Sequence, residues 1–124
     1  YGHTSGGVAA IRLATGERVW FNPLTAPAGR GRAGNTAAVT AIPGAVFSGS
    51  VTGMFSALST ADGDILWEFD TKKDFATVNN VKANGNMMSS AGPVVAGGMV
   101  FVGSGYTFTS AAGGGNVLLA FAPE

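Results

Sequence analysis

The side chains able to do chemistry are polar, and two pairs of them share a spacing. Asn35 and Thr36 align with Ser89 and Ser90 at an offset of 54 residues. The same offset superposes Val46-Phe47-Ser48-Gly49-Ser50 on Val100-Phe101-Val102-Gly103-Ser104. Amide and hydroxyl groups repeated in this way can hydrogen-bond the carboxylates and carbonyls of a planar ligand. Asn, Ser and Thr also satisfy neighbouring backbone at turns, and residue type leaves both roles open. Asn79, Lys82, Asn84 and Asn86 form a second set that could reach the same place from one long loop, or could simply be solvated. His3 is the only histidine, and no sequence feature supplies the partner a catalytic base needs. Asp62 and Asp64 flank a turn, and Asp70 and Asp74 border a loop, so no carboxylate pair is spaced for general acid–base work. Cysteine is absent, which removes disulfides, thiolate metal sites, a Cys nucleophile and haem attachment. No catalytic residue and no metal ligand is assignable on this basis.

The elements that must position these residues come from an internal repeat. Ala10, Gly16 and Trp20 recur as Ala57, Gly63 and Trp67, each 47 residues further on. Each unit is an apolar strand, a tight turn and a second strand closing on Trp. Asp62-Gly63 between alternating apolar runs is a strong hairpin signal, because Gly accepts the positive φ of a tight turn. Asn116 to Phe121 repeats the apolar strand alone. Strands are expected over 8–13, 18–21, 36–42, 45–48, 54–59, 65–69, 94–96, 99–102 and 116–121, with irregular chain over 70–90 and one helical turn at 72–76. Labelled a to d from axis to rim, the strands run c, d, then a, b, c, d, then a, b, c. This is the pattern of four-stranded propeller blades, in all-β architecture, and it amounts to two and a quarter blades. The expected division is 1–22 for the end of one blade, 36–70 for a full blade and 91–124 for most of a further one.

The Ala-x-x-x-x-x-Gly-x-x-x-Trp unit resembles the tryptophan-docking motif of quinoprotein dehydrogenases, which carry pyrroloquinoline quinone (PQQ). The stretches "AVTAIPGAVFSGSVTG", "ILWEFDT", "GPVVAGGMVFVGSGY" and "NVLLAF" resemble the C-terminal blades of polyvinyl-alcohol dehydrogenases. The resemblance implies an eight-bladed propeller and oxidation of an alcohol, polyvinyl alcohol or another secondary alcohol, to a carbonyl. It also implies PQQ and Ca2+ as cofactors, a cytochrome-type electron acceptor and a periplasmic or secreted location. It makes Trp20 and Trp67 packing residues between blades, with Trp67 buried near a neighbouring blade's Gly turn. The quinone contacts it implies here are Asn35, Thr36, Ser89 and Ser90, with the calcium ligands and catalytic aspartate mostly outside this chain. The same unit occurs in non-enzymatic propellers that act as protein-binding or assembly scaffolds, and this alternative stays open.

Composition agrees with short strands and narrows the partners. Charged residues are 11% of the 124 and apolar ones 46%, well below the roughly 25% charge of an ordinary domain. Formal net charge is zero, with no basic stripe, which argues against nucleic acid. No apolar run approaches the ~20 residues that span a bilayer. Two and a quarter blades cannot close a ring, because propellers need at least about four. A chain that starts at Tyr1 and leaves sheet faces bare is expected to be a piece completed by further blades, from the same polypeptide or other copies. In up-and-down blades the a–b and c–d turns share one face and the longer connections the other. The long segments 1–7, 23–35, 70–90 and 103–115 all fall on the second face, the usual side for a binding site.

Overall fold

The computed structural model describes residues 1–89, 91–106 and 114–123. Ser90, a candidate ligand residue, lies outside them. Among the described residues all regular structure is antiparallel β, in eleven strands: β1 (Val8–Ile11), β2 (Arg18–Asn22), β3 (Thr40–Ile42), β4 (Ala45–Gly49), β5 (Met54–Ser59), β6 (Ile65–Asp70), β7 (Asp74–Phe75), β8 (Ala83–Asn84), β9 (Val94–Ala96), β10 (Met99–Ser104) and β11 (Val117–Phe121). They form a hairpin β1-β2, a four-stranded sheet β3-β4-β5-β6, a small hairpin β7-β8 and a three-stranded sheet in the order β11-β10-β9.

The repeat fixes the register. Ala10 sits opposite Trp20, and Ala57 opposite Trp67. Immediately after each Ala the ladder slips: Ile11 pairs with Arg18, and Leu58 with Ile65. Such an extra residue bends the strand and sharpens its twist. The slip occurs at the same position in both units because the same turn chemistry follows it, with Gly16 at φ 74° and Gly63 at φ 80°.

The central sheet is apolar on both faces, as strand alternation requires. Val46 and Leu58 join Val8, Leu24 and Ala33 in a core against the first hairpin, with Trp20 and Val39 packed on it. On the other face Phe55 joins Met88 and Val102, with Phe47, Val100, Leu119 and Phe121 around them. Neighbouring sheets also touch through polar groups. Trp20 Nε1 donates to the Thr60 carbonyl at 3.0 Å, and Asn22 Nδ2 donates to the Gly63 carbonyl at 2.8 Å. A Cβ on Gly63 would stand 2.5 Å from the Trp20 ring, so the indole lies directly on a residue with no side chain. At the β3 and β9 ends the approach is equally close, where Thr40 Oγ1 donates to the Pro93 carbonyl at 2.5 Å.

Two expectations are corrected. Residues 36–39 are not strand; the ladder of β3 begins only at Thr40, opposite Phe47. Residues 72–76 form no helical turn. Asp74 and Phe75 pair instead with Asn84 and Ala83, and Phe75 stacks on Phe69 with centroids 6.4 Å apart. Trp67 contacts Phe55, Phe69 and Phe121 and is 38% exposed in this chain alone, because no described residue covers its outer side as the 60–63 turn covers Trp20.

Candidate functional site

The long connections meet at the ends where β4 stops, β5 starts and β6 stops. They are tied to one another by backbone: Asn35 N donates to His3 O at 3.2 Å, Met88 N to Ser50 O at 3.0 Å and Gly105 N to Met87 O at 3.0 Å. Here the expected ligand residues divide by what their polar atoms already do.

Asn35 is 2% exposed and its side chain is fully used. Its Oδ1 accepts from Gly7 N at 3.0 Å, while Nδ2 donates to Ser48 Oγ at 2.8 Å and Gly49 O at 3.2 Å. In this geometry Asn35 joins the first loop to the end of β4, because an unpaired buried amide is costly. Thr36, next to it, is exposed. Ser89 is different from both: its Oγ is buried and has no hydrogen-bond partner among the described residues. A buried hydroxyl left unpaired costs about 1–3 kcal/mol, so the position favours whatever ligand or water brings it a partner.

The second set lies on and beside the β7-β8 hairpin. Asn79 is exposed and closes the tip, its Oδ1 accepting from Thr77 Oγ1 at 2.7 Å. Lys82 is exposed, and its carbonyl accepts from Asn116 Nδ2 at 3.3 Å. Asn84 is half-buried; its N donates to Asn116 Oδ1 at 3.1 Å, and its Nδ2 donates to Gly114 O at 3.2 Å. Asn86 Oδ1 accepts from Met87 N at 3.0 Å. His3 is exposed, with Nδ1 held by Ser5 through Oγ at 2.5 Å and N at 3.2 Å.

Two arrangements were not legible in the sequence. Thr71 Oγ1 and Ser104 Oγ meet at 2.7 Å, with the Gly53 carbonyl 2.8 Å from Thr71 Oγ1 and the Asn86 carbonyl 2.8 Å from Ser104 Oγ, so the single proton of each hydroxyl serves either its partner hydroxyl or a carbonyl. The second is an ion pair. Arg30 grips Asp70 with two hydrogen bonds, 2.7 and 2.8 Å, and reaches Thr52 O at 3.3 Å, fastening the 23–35 loop to the end of β6. These bonds to Arg30, aided by Lys72 N and by the charges of Arg30 and Lys73, hold the Asp70 carboxyl below its ordinary value, and the Arg30 guanidinium is raised in turn. Only the partners' 40-residue separation hid the pair, since loop Arg and strand-end Asp are unremarkable singly.

The depressed Asp70 makes an acid-side prediction. Its folded value lies below the unfolded one, so the unfolded chain binds the extra proton between the two and stability rises with pH across that window. The contribution is present above the ordinary value of 3.8 and is lost as pH falls through the folded value. Asp70→Asn is expected to flatten this acid limb of a denaturation series and loosen the 23–35 loop in amide exchange. An acid limb identical in the variant would remove Asp70 as its source.

Among the described residues no three His, Cys, Asp or Glu side chains lie together, so they offer no carboxylate cluster for calcium. Asp62 is also held below its ordinary value, by Ser59 and the Asp64 backbone, and it sits in an exposed turn. Neither shifted carboxylate is a stronger base for its shift. What this face offers is hydroxyl and amide hydrogen bonding on a rigid frame, with Ser89 Oγ as its unpaired group.

Comparison with known proteins gives the frame a lineage. The PQQ_2 family, described as outer membrane protein assembly factor BamB, matches residues 4–123. A polyvinylalcohol dehydrogenase of Pseudomonas sp. is 44% identical over 133 aligned residues, and one of Sphingopyxis sp. (strain 113P3) is 42% identical over 134. Each alignment covers 95% of this chain but 20% of the relative, so the chain spans about a fifth of their length. With nearly its whole length matched, and with its antiparallel sheets and recurrent Gly-turn units, the chain belongs to the PQQ_2 repeat family.

Proposed function

We propose that this chain forms consecutive blades of a PQQ-dependent dehydrogenase that oxidises an alcohol, polyvinyl alcohol or another secondary alcohol, to a carbonyl. The observation that carries the reading is the 42–44% identity to two proteins named polyvinylalcohol dehydrogenase. The blades divide as 1–22, 36–70 and 91–124 of an eight-bladed ring, joined through the tryptophan-docking unit; the contact of Trp20 with the Gly63 turn supports that joint. Bound PQQ would accept the two electrons of the alcohol. Within this chain, Ser89 Oγ and Thr36, with Ser90 beside them in sequence, would hydrogen-bond the quinone's carboxylates or carbonyls. Asn35 would act behind them by fixing the first loop to β4. Asn79, Lys82 and Asn84 would line the approach. Calcium and the catalytic base would come from other blades, the acceptor would be a cytochrome-type protein, and the location periplasmic or secreted. The rival is a non-enzymatic assembly scaffold. The family description favours it, as does the engagement of Asn35 with its own backbone.

The test uses the full polypeptide that contains these blades. It is expected to bind PQQ, read by absorption, and to reduce an artificial acceptor when polyvinyl alcohol is added. Ser89→Ala is expected to weaken quinone binding roughly 2–10-fold, the value of one hydrogen bond of about 0.5–1.5 kcal/mol. Absence of PQQ binding by the folded wild type would favour the scaffold. Unchanged binding in Ser89→Ala would remove Ser89 from the site.

A further inference from the structure

The 47-residue repeat continues in three dimensions into the loop face. His3 N donates to Gly7 O at 2.8 Å and Gly6 N to His3 O at 2.9 Å. At the matching residues of the next unit, Ser50 N donates to Met54 O at 2.9 Å and Gly53 N to Ser50 O at 3.0 Å. Each of these turns takes one further amide from the sheet that follows it: His3 O from Asn35 N at 3.2 Å, and Ser50 O from Met88 N at 3.0 Å. The residue before each donor is held as well, since Gly34 O accepts from Val51 N at 2.9 Å and Met87 O from Gly105 N at 3.0 Å. In space, therefore, Met88 takes the place of Asn35, and Ser89 that of Thr36. The spatial offset is 53 (88 − 35), one residue short of the 54 that aligns the sequence.

The two places share a backbone and differ in chemistry. Each is a seat on a glycine just before the turn. A Cβ on Gly2 would stand 3.3 Å from Asn35 Cβ, and one on Gly49 would stand 2.9 Å from both Cβ and Sδ of Met88. Gly2 is bridged to Val8 as Gly49 is paired with Phe55, so the two glycines are themselves equivalent. On its other side Asn35 donates to Ser48 Oγ at 2.8 Å. The residue matching Ser48 in the next sheet is Val102, and Met88 and Val102 share one core with Phe55. An amide against a hydroxyl in the first seat becomes a thioether beside a valine in the second. Each seat is matched within itself, as burial demands of polar groups.

We propose that Met88 is a positioning residue, seated on Gly49 so that the hydroxyl of Ser89 is held at the loop face, as Asn35 on Gly2 holds Thr36. Met88 is 2% exposed, its amide is bonded to Ser50 O, and the carbonyl before it is bonded to Gly105 N. Ser89 thus leaves a point fixed by backbone on both sides and by a buried side chain. Met88 itself touches no ligand; it acts through Ser89. The role rests on the reading of Ser89 as a quinone contact and adds the side chain and the bare glycine that set where that contact stands.

The test is equilibrium titration of the full polypeptide with PQQ, read by absorption. Met88→Ala is expected to weaken binding by the same roughly 2–10-fold as Ser89→Ala, the value of one hydrogen bond. The double variant is expected to lose no more, because residues acting through one contact are not additive. Losses that multiply overturn the role of Met88, as does unchanged binding in Met88→Ala beside weakened binding in Ser89→Ala; both results leave the quinone reading standing. A wild type that binds no PQQ overturns the quinone reading itself. Met88→Ala opens a cavity in a shared core and can unfold the sheets, so a transplant is the second variant. Met88→Asn with Val102→Ser copies the Asn35–Ser48 seat, and it is expected to fold and to bind PQQ as the wild type does. Met88→Asn alone leaves a buried amide unpaired and is expected to lose thermal stability. A transplant that does not fold, or that folds with weakened binding, overturns the equivalence of the seats and the role built on it.

Discussion

Phe55→Ala is expected to lower the stability of the blades by about 3–5 kcal/mol, the cost of removing a large aromatic from a packed core. Phe55 is fully buried and central to the second core. Its ring stands 6.2 Å from Phe47, 5.9 Å from Trp67 and 5.7 Å from Phe121, so a single truncation takes a neighbour from two sheets at once. Phe47 stacks on Phe55, Phe121 is tilted and Trp67 meets it edge-on, arrangements worth about 0.5–1.5 kcal/mol per pair beyond area. Collapse cannot close the gap, because Phe47 and Phe121 are fixed on paired strands. Chemical denaturation of the full polypeptide checks the value through the midpoint of the transition. A loss below about 1 kcal/mol would mean that the second and third sheets separate without cost and do not share this core.

Gly85→Ala is expected to act on the loop face with a comparable effect and a different signature. A Cβ there would lie 1.9 Å from the Thr71 carbonyl oxygen and 3.0 Å from Ser104 Oγ. The first contact is backbone, so the chain itself must shift. The shift would pull Lys73 O from Gly85 N, now 2.9 Å, and part the Thr71–Ser104 hydroxyl pair from Asn86. Overpacking of this kind typically costs about 1–3 kcal/mol, and breaking a buried polar network adds to it. Amide exchange of the full polypeptide is the measurement: protection is expected to fall at Gly85, Asn86 and Met88 while β1 and β2 keep theirs. Retained protection across 85–88 would show that the hairpin moves as a rigid unit and that the close approach is unimportant.

The hairpins were legible in the sequence because their causes are local. Gly63 and Gly16 supply the positive φ, and the apolar alternation supplies the faces, so turn and strand agree at each step. The β7-β8 hairpin was not legible. Lys72 to Ala76 reads as a helical turn by composition, and the pairing of Asp74 with Asn84 spans a stretch with no turn glycine. Its tip instead has Asn80 at φ 58° beside the Asn79 side-chain bonds. Asn35 shows the other limit. Its residue type fits a ligand and a backbone tie equally, and only the placement of Gly7, Ser48 and Gly49 around it decides what its atoms now do. Ser89 was marked by its 54-residue offset from Asn35, but nothing in the sequence showed that its hydroxyl is unpaired, since that is a property of surroundings. Trp67 was placed by analogy with Trp20, and the described residues supply its neighbours on one side only.

The Pro43–Gly44 turn has a practical use that follows from its isolation. Gly44 has no atom within 4 Å of where a Cβ would stand, whereas Gly63, at the tip of the adjoining hairpin in the same sheet, is pressed against Trp20. Exposed tips with open space around them accept added chain, and docked ones do not. A short peptide tag or a labelling site grafted between Pro43 and Gly44 would extend into solvent from a two-residue reversal whose flanking strands are already paired, Ile42 with Ala45. The four-stranded sheet thus contains a permissive handle for immobilising or tracking the polypeptide, on the opposite end of the strands from the loops that hold Ser89.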